Sequence, residues 1–149
     1  FPNLADQDWL WGGEFETIKQ TITNGREGMM PPMAAAVGSA DEQRNLAHYV
    51  LSLSGSAHDS LKAQLGKGKF GACAACHGAQ GKGNPALGAP NLTDKTWLHG
   101  WGEAAVVAMV NGGKTNLMPG QASRLSEEQI HVLGAYVWSL SKGTTVATK

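Results

Sequence analysis

Cysteine is scarce in this chain: only Cys73 and Cys76 occur among 149 residues. Two thiols cannot build a disulfide-stapled scaffold, and they leave a four-ligand zinc site short of partners. No apolar run approaches the ~18 residues of a membrane-spanning helix. Neither charge sign dominates, with 12 basic and 12 acidic residues, so composition gives nucleic-acid binding no support. Low-complexity tracts are missing, which argues against disorder. No segment alternates convincingly with period two, so no sheet is expected. What remains is an all-α chain, long enough for one domain or two small ones. No signal-peptide pattern opens at Phe1. The chain is therefore expected to be a mature, proteolysed or truncated product whose export signal and any anchor lie outside these residues.

The zero net charge is unevenly placed. Residues 1–57 carry three basic and seven acidic side chains, net −4, and residues 58–149 carry nine and five, net +4. The halves should attract one another modestly, although scattered lysines usually mean a solvated surface.

The two cysteines gain meaning from their spacing. Cys73-Ala74-Ala75-Cys76-His77 has the form C-x-x-C-H, the attachment site of a c-type haem. On a helical turn these residues stand at i, i+3 and i+4, so two thiols and an imidazole share one face. The thiols can add to the haem vinyl groups while His77 binds the iron as proximal ligand. A redox dithiol would want a βαβ context, and half a zinc site would want further cysteines; neither is present. One haem per chain is expected, with no disulfide between the cysteines.

An internal repeat sets the domain picture. Phe1-Pro2-Asn3-Leu4 recurs as Ala89-Pro90-Asn91-Leu92, Trp9-Leu10 as Trp97-Leu98, and Met30-Pro31 as Met118-Pro119, all at an offset of 88. Beyond those loops the offset becomes 87, matching Leu46, Tyr49, Val50, Ser52 and Leu53 to Leu133, Tyr136, Val137, Ser139 and Leu140. Two homologous domains follow: an incomplete one over 1–57 without C-x-x-C-H, and a complete one over 58–149. The missing motif would precede Phe1, so a full-length parent is expected to carry two haems.

Helices are expected throughout. Leu61, Leu65, Gly66 and Phe70 suggest a helix running into the haem motif, and Glu103 to Asn111 a middle helix stopped by Gly112-Gly113. Ser126 to Gln129 reads as a capping box opening a last helix with Ile130, Leu133, Val137 and Leu140 buried. The first copy repeats these signals, with Ile18 and Ile22 in its middle helix and Ser39 to Glu42 opening its last. Ser54-Gly55-Ser56-Ala57 resembles a short linker.

The second iron ligand separates an electron carrier from an oxygen-binding or catalytic haem protein. Met118 is the candidate, in a loop stiffened by Pro119, and Met30 is its equivalent for the missing first haem. Met109, His99 and His131 are rivals whose ordinary roles are core filling or surface exposure. The Pro90 carbonyl is expected near His77, where accepting from Nδ1–H would fix the tautomer. Asn91 accompanies it, and Trp97 can offer its indole N–H to a haem propionate or simply pack. Gly66 and Phe70 are expected to cross the last helix at Leu133 and Tyr136.

Together these residues resemble class I cytochrome c over 58–142. More narrowly, residues 89–100 and the tandem arrangement are similar to the dihaem subunit III of cbb(3)-type cytochrome c oxidases. That resemblance implies attachment through Cys73 and Cys76, iron ligation by His77 and Met118, and electron delivery to an oxidase core. It also implies a periplasmic location with the parent anchored to the inner membrane, although this chain has no membrane segment. Redox partners, the oxidase core or small cytochromes, would dock at the haem edge near Ala72, Ala75 and Ala79. With both axial positions filled the chain is a carrier and not an enzyme. A freestanding soluble tandem carrier, a haem enzyme or gas sensor with a displaceable methionine, and a haem-free docking role for 1–57 remain open alternatives.

Overall fold

The computed structural model describes residues 2–142. Phe1, the first member of the repeat, and residues 143–149, the tail of the second expected domain, lie outside them. In chain order the elements are α1 (Phe15–Asn24), β1 (Gly25–Met30), α2 (Ala34–Val37), α3 (Ala40–Leu53), α4 (Ser60–Lys67), α5 (Gly71–His77), α6 (Glu103–Gly112), β2 (Lys114–Pro119) and α7 (Glu127–Lys142). The helices begin and end where the sequence signals place them. Ser39 accepts from the Glu42 N–H while the Glu42 carboxylate accepts from the Ser39 N–H, and Ser126 and Gln129 make the same reciprocal pair. Asp59 caps α4 by accepting from the N–H groups of Leu61 and Lys62.

The expected absence of a sheet is corrected. Strands β1 and β2 pair into a two-stranded sheet. Neither strand has a buried face, β2 being exposed along its whole length, so no hydrophobic alternation marked them.

Two compact units divide the chain, one from Gly28 to Thr115, the other formed by the described residues up to Glu27 and those from Asn116 onward. They do not follow the expected division at 57/58. The chain passes from one unit to the other within each strand. Residues 54–57, expected as a linker, are instead the turn between two helices of one unit, with Ser54 buried and its hydroxyl donating to the Leu51 carbonyl.

In the first unit, α3 packs along α4 and also against α6. The core is Val37, Leu46, Val50, Phe70 and Val110, joined by Met33, Tyr49, Cys73 and Trp97. Gly66 sets how close α3 and α4 come, because a Cβ there would lie 2.0 Å from the Asn45 carbonyl oxygen. Tyr49 meets Phe70 edge to face, with ring centroids 5.3 Å apart. The crossing expected with Leu133 and Tyr136 is therefore made by their repeat equivalents Leu46 and Tyr49. That contact also fixes the rotation of α4: Ala63 and Gly66 face inward, which leaves Leu61 and Leu65 exposed, contrary to the expected stripe.

Polar contacts reinforce the same helix. Lys69 pairs with Glu42, and this partner, together with the Ser39 N–H, holds the Glu42 carboxyl down to about 2. His48 Nε2–H donates to Glu103 at 2.7 Å while its Nδ1 accepts from the Asp59 N–H at 3.0 Å, tying α3 to α6 and to the start of α4. In the other unit, α1 packs against α7 through Ile18, Ile22 and Ile130. Leu133, expected in the buried stripe of α7, is 38% exposed because Ile130 and Gly134 face α1 instead.

Gly66 and Gly68 should respond oppositely to alanine. Gly66→Ala forces the helices apart and should cost about 1–3 kcal/mol, as overpacking does. Gly68 has helical angles and nothing within 4 Å of a Cβ, so Gly68→Ala should stabilise, by about 0.4–1 kcal/mol. Denaturant midpoints of the two variants check this, and equal effects would contradict the close crossing.

Candidate functional site

The site grows out of the α4–α5 corner. After α4 ends at Lys67, the N–H groups of Lys69 and Phe70 return to the carbonyls of Gly66 and Lys67, and Phe70 is driven into the core. The chain restarts as α5 with the Cys73 and Ala74 N–H groups both bonded to the Phe70 carbonyl. Phe70 thus anchors the helix that carries Cys73, Cys76 and His77. Cys73 is partly buried and Cys76 exposed, and the two are free thiols. Burial pushes the Cys73 thiol upward, with the neighbouring Cys76 adding to the shift.

His77 closes α5 and is only 8% exposed. Its Nδ1 lies 2.9 Å from the Pro90 carbonyl oxygen. A carbonyl can only accept, so the proton sits on Nδ1 and the Nε2 lone pair is left for another partner. The loop from Gly78 to Leu92 is held in place for this contact. The Gly83 N–H bonds to the His77 carbonyl at 2.8 Å, the Leu92 N–H to the Gly81 carbonyl at 2.7 Å, and Asn84 bridges to Ala89. Asn91 fixes the next turn, its Oδ1 accepting from the Thr93 N–H at 3.0 Å and the Thr93 hydroxyl at 2.8 Å.

Trp97 packs against the core with its indole Nε1 buried and, among the described residues, without a hydrogen-bond partner. Such an orphan costs stability unless an acceptor is supplied. Trp97 also lines, with Lys95 and Trp101, an open hollow of about 510 Å³. A buried indole donor without an acceptor suits an anionic partner such as a carboxylate, and Lys95 stands two residues before it. The residues therefore fit a haem: two thiols at one turn, an imidazole with its Nε2 free, and a buried donor lacking an acceptor. Zinc fits poorly, since among the described residues no three His, Cys, Asp or Glu side chains gather as a metal site.

The unit with His77 contains Pro90, Asn91 and Trp97, but Met118 falls in the other unit. Met118 lies in β2 and is 41% exposed. Met30, expected to serve the missing first haem, is in the unit of His77, and so is Met33, which packs against the same core as Cys73 and Trp97. Sequence reading passed over Met33 and the His48–Glu103 pair; neither has a counterpart in the repeat, where Gln121 and Ala135 stand. His131 is an exposed residue whose ring meets Phe15 edge-on, and Met109 lies within α6.

A helical domain that closes on a C-x-x-C-H turn, with the histidine held by a loop carbonyl, defines a cytochrome c-type protein. The family model for "Cytochrome C oxidase, cbb3-type, subunit III" matches residues 62–137, and the chain belongs to that family. It is 63% identical over its whole length to the cbb3-type cytochrome c oxidase subunit CcoP of Rubrivivax gelatinosus, covering 49% of that protein. It is 44% identical to subunit FixP of Azorhizobium caulinodans over 96% of this chain and 52% of the relative. The CcoP subunit of Cereibacter sphaeroides is 38% identical over 96% of this chain and 53% of its own length. The chain thus spans about half the length of the curated relatives it matches. No helix among the described residues is long and apolar enough to cross a membrane.

Asn91→Ala removes the turn that holds the Pro90 carbonyl. It should cost about 1 kcal/mol, as lost side-chain hydrogen bonds do, and speed solvent exchange of the His77 Nδ1–H in NMR spectra of the haem-loaded chain. An unchanged exchange rate would show that Asn91 does not position the carbonyl.

Proposed function

We propose that this chain carries single electrons through one covalently bound haem c and, within a longer parent, passes them to the core of a cbb3-type oxidase. The observation that carries this reading is the His77–Pro90 contact directly after the two cysteines, which leaves the Nε2 lone pair available to an iron. When bound, the haem supplies a ferric–ferrous couple.

The chain's own residues do the rest. Cys73 and Cys76 tether the group through thioether bonds, so its retention does not depend on oxidation state. The Pro90 carbonyl draws on the Nδ1 proton and strengthens donation from Nε2. By the sequence spacing Met118 would supply a thioether as the iron's other protein ligand, which would raise the potential and leave no place for substrate. Trp97 would offer its indole N–H to a propionate, and Asn91 holds the turn that follows Pro90.

The parent carries two haems, faces the periplasm and is anchored to the inner membrane. Small cytochromes or the oxidase core meet the exposed edge near Ala72, Ala75 and Ala79 in weak, short-lived complexes, redox encounters being at the small end of interface sizes.

Carbon monoxide tests the carrier reading. The reduced, haem-loaded chain should resist it, and its oxidised form should show the methionine-to-iron charge-transfer band; rapid stoichiometric binding would instead mean an enzyme or sensor. Trp97→Phe should keep that band and shift the midpoint potential, since a donor to the propionate is lost. An unshifted potential would leave Trp97 a packing residue only.

A further inference from the structure

On α3, the side chain of His48 is only 13% exposed and stands between two other helices of the same unit. Its Nε2 lies 2.7 Å from the Glu103 carboxylate at the start of α6, and its Nδ1 lies 3.0 Å from the backbone nitrogen of Asp59, the cap of α4. A backbone N–H only donates and a carboxylate only accepts. The neutral ring with its proton on Nε2 therefore satisfies both neighbours, and no other form of it does. A proton added to Nδ1 leaves the Glu103 bond in place, now between opposite charges, and sets two N–H groups against each other at Asp59.

Charged groups around the ring pull both ways. From α6, Glu103 favours the charged ring, and its own carboxyl is held below the usual carboxylate range, first by the His48 bond. From the start of α4, the Asp59 carboxylate also favours the charged ring; it is held low first by the Lys62 N–H that it caps. Lys62, with its Nζ 3.6 Å from Glu103, opposes them. On α3 itself Arg44 stands one turn earlier and pairs with Asp41. In the turn before α4, His58 Nδ1 lies 2.7 Å from the Ser56 carbonyl oxygen, so it donates there, and a second proton on its Nε2 breaks no bond.

We propose that His48 is a pH-sensitive clasp in the haem-motif unit: a second proton on its ring releases the start of α4 from α3 while α3 stays joined to α6. What comes free is the junction between α4 and the turn at 54–58. The cap of α4 survives, because the Asp59 carboxylate still accepts from the N–H groups of Leu61 and Lys62. The far end of the helix survives as well: Gly66 remains against Asn45, and Glu42, its carboxyl held down to about 2, stays charged opposite Lys69. Acid therefore loosens α4 at its entry without disturbing the corner that presents Cys73, Cys76 and His77. A charge change at one histidine, acting on one contact of a packed helix, is the physical form such switches take. Neither contact of His48 involves the haem, so the inference stands apart from the electron-carrier reading.

NMR of the reduced, haem-loaded chain tests it. At about pH 8 the His48 ring nitrogens should show the Nε2–H tautomer, and the Asp59 amide should be protected from solvent exchange. Lowering the pH to about 5 spans the range in which imidazoles gain a proton. Asp59 protection should then fall about tenfold beyond the change in intrinsic rate, as loss of one hydrogen bond implies, while Leu61 and Lys62 keep theirs. His48→Gln offers an acceptor and a donor but cannot titrate, so the step should vanish. Glu103→Gln removes the opposite charge from the ring, and the step should move to lower pH. An Nδ1–H tautomer at about pH 8, or Asp59 protection that is constant with pH in the unaltered chain, would overturn the inference. So would a step that persists in His48→Gln, or one that stays or moves to higher pH in Glu103→Gln.

Discussion

The close approach of α3 and α4 at Gly66 is the constraint from which the rest of the haem-motif unit follows. Without a side chain at that position the two backbones touch, and the rotation of α4 is set by that touch and not by its leucines. Phe70 is then directed into the core beneath Tyr49, and its carbonyl receives the first two bonds of the α5 turn region. The two cysteines and the histidine are presented by a helix whose origin is fixed in the core. Burying side chains such as Leu46 and Phe70 contributes roughly 1.5–3 kcal/mol each, so the presentation of the site and the stability of the unit share one set of contacts.

Much of this was legible in local sequence. The C-x-x-C-H spacing, both capping boxes and the glycine stops at Gly25 and Gly113 act within one turn of the chain, and each appears where its residues predict. The Pro90 carbonyl lies against His77 because the loop between them is short and braced by its own backbone bonds. What the sequence could not disclose was which last helix closes on Gly66. The repeat makes Leu46 with Tyr49 and Leu133 with Tyr136 chemically alike, so hydrophobic pattern alone does not choose between them. Glu42 and His48, which pair with Lys69 and Glu103, are polar side chains that a search for apolar stripes ignores. The strands were silent for a related reason, since a ladder with no buried face needs no alternation.

The haem-motif unit presents a braced proximal side. Nδ1 of His77 is committed to a carbonyl, the thiols share one helical turn, and a buried indole donor awaits an acceptor. Those features suit a tethered haem whose iron changes charge without changing its partners. Membership in the subunit III family agrees with that chemistry.

The claim on which the account stands is covalent attachment at Cys73 and Cys76. Mass spectrometry of the chain matured with haem, denatured in acid and digested, tests it most directly. The account predicts a mass increase of one haem, retained through denaturation and confined to the peptide containing Cys73 to His77. An unmodified mass, or an increment that denaturation releases, would contradict it.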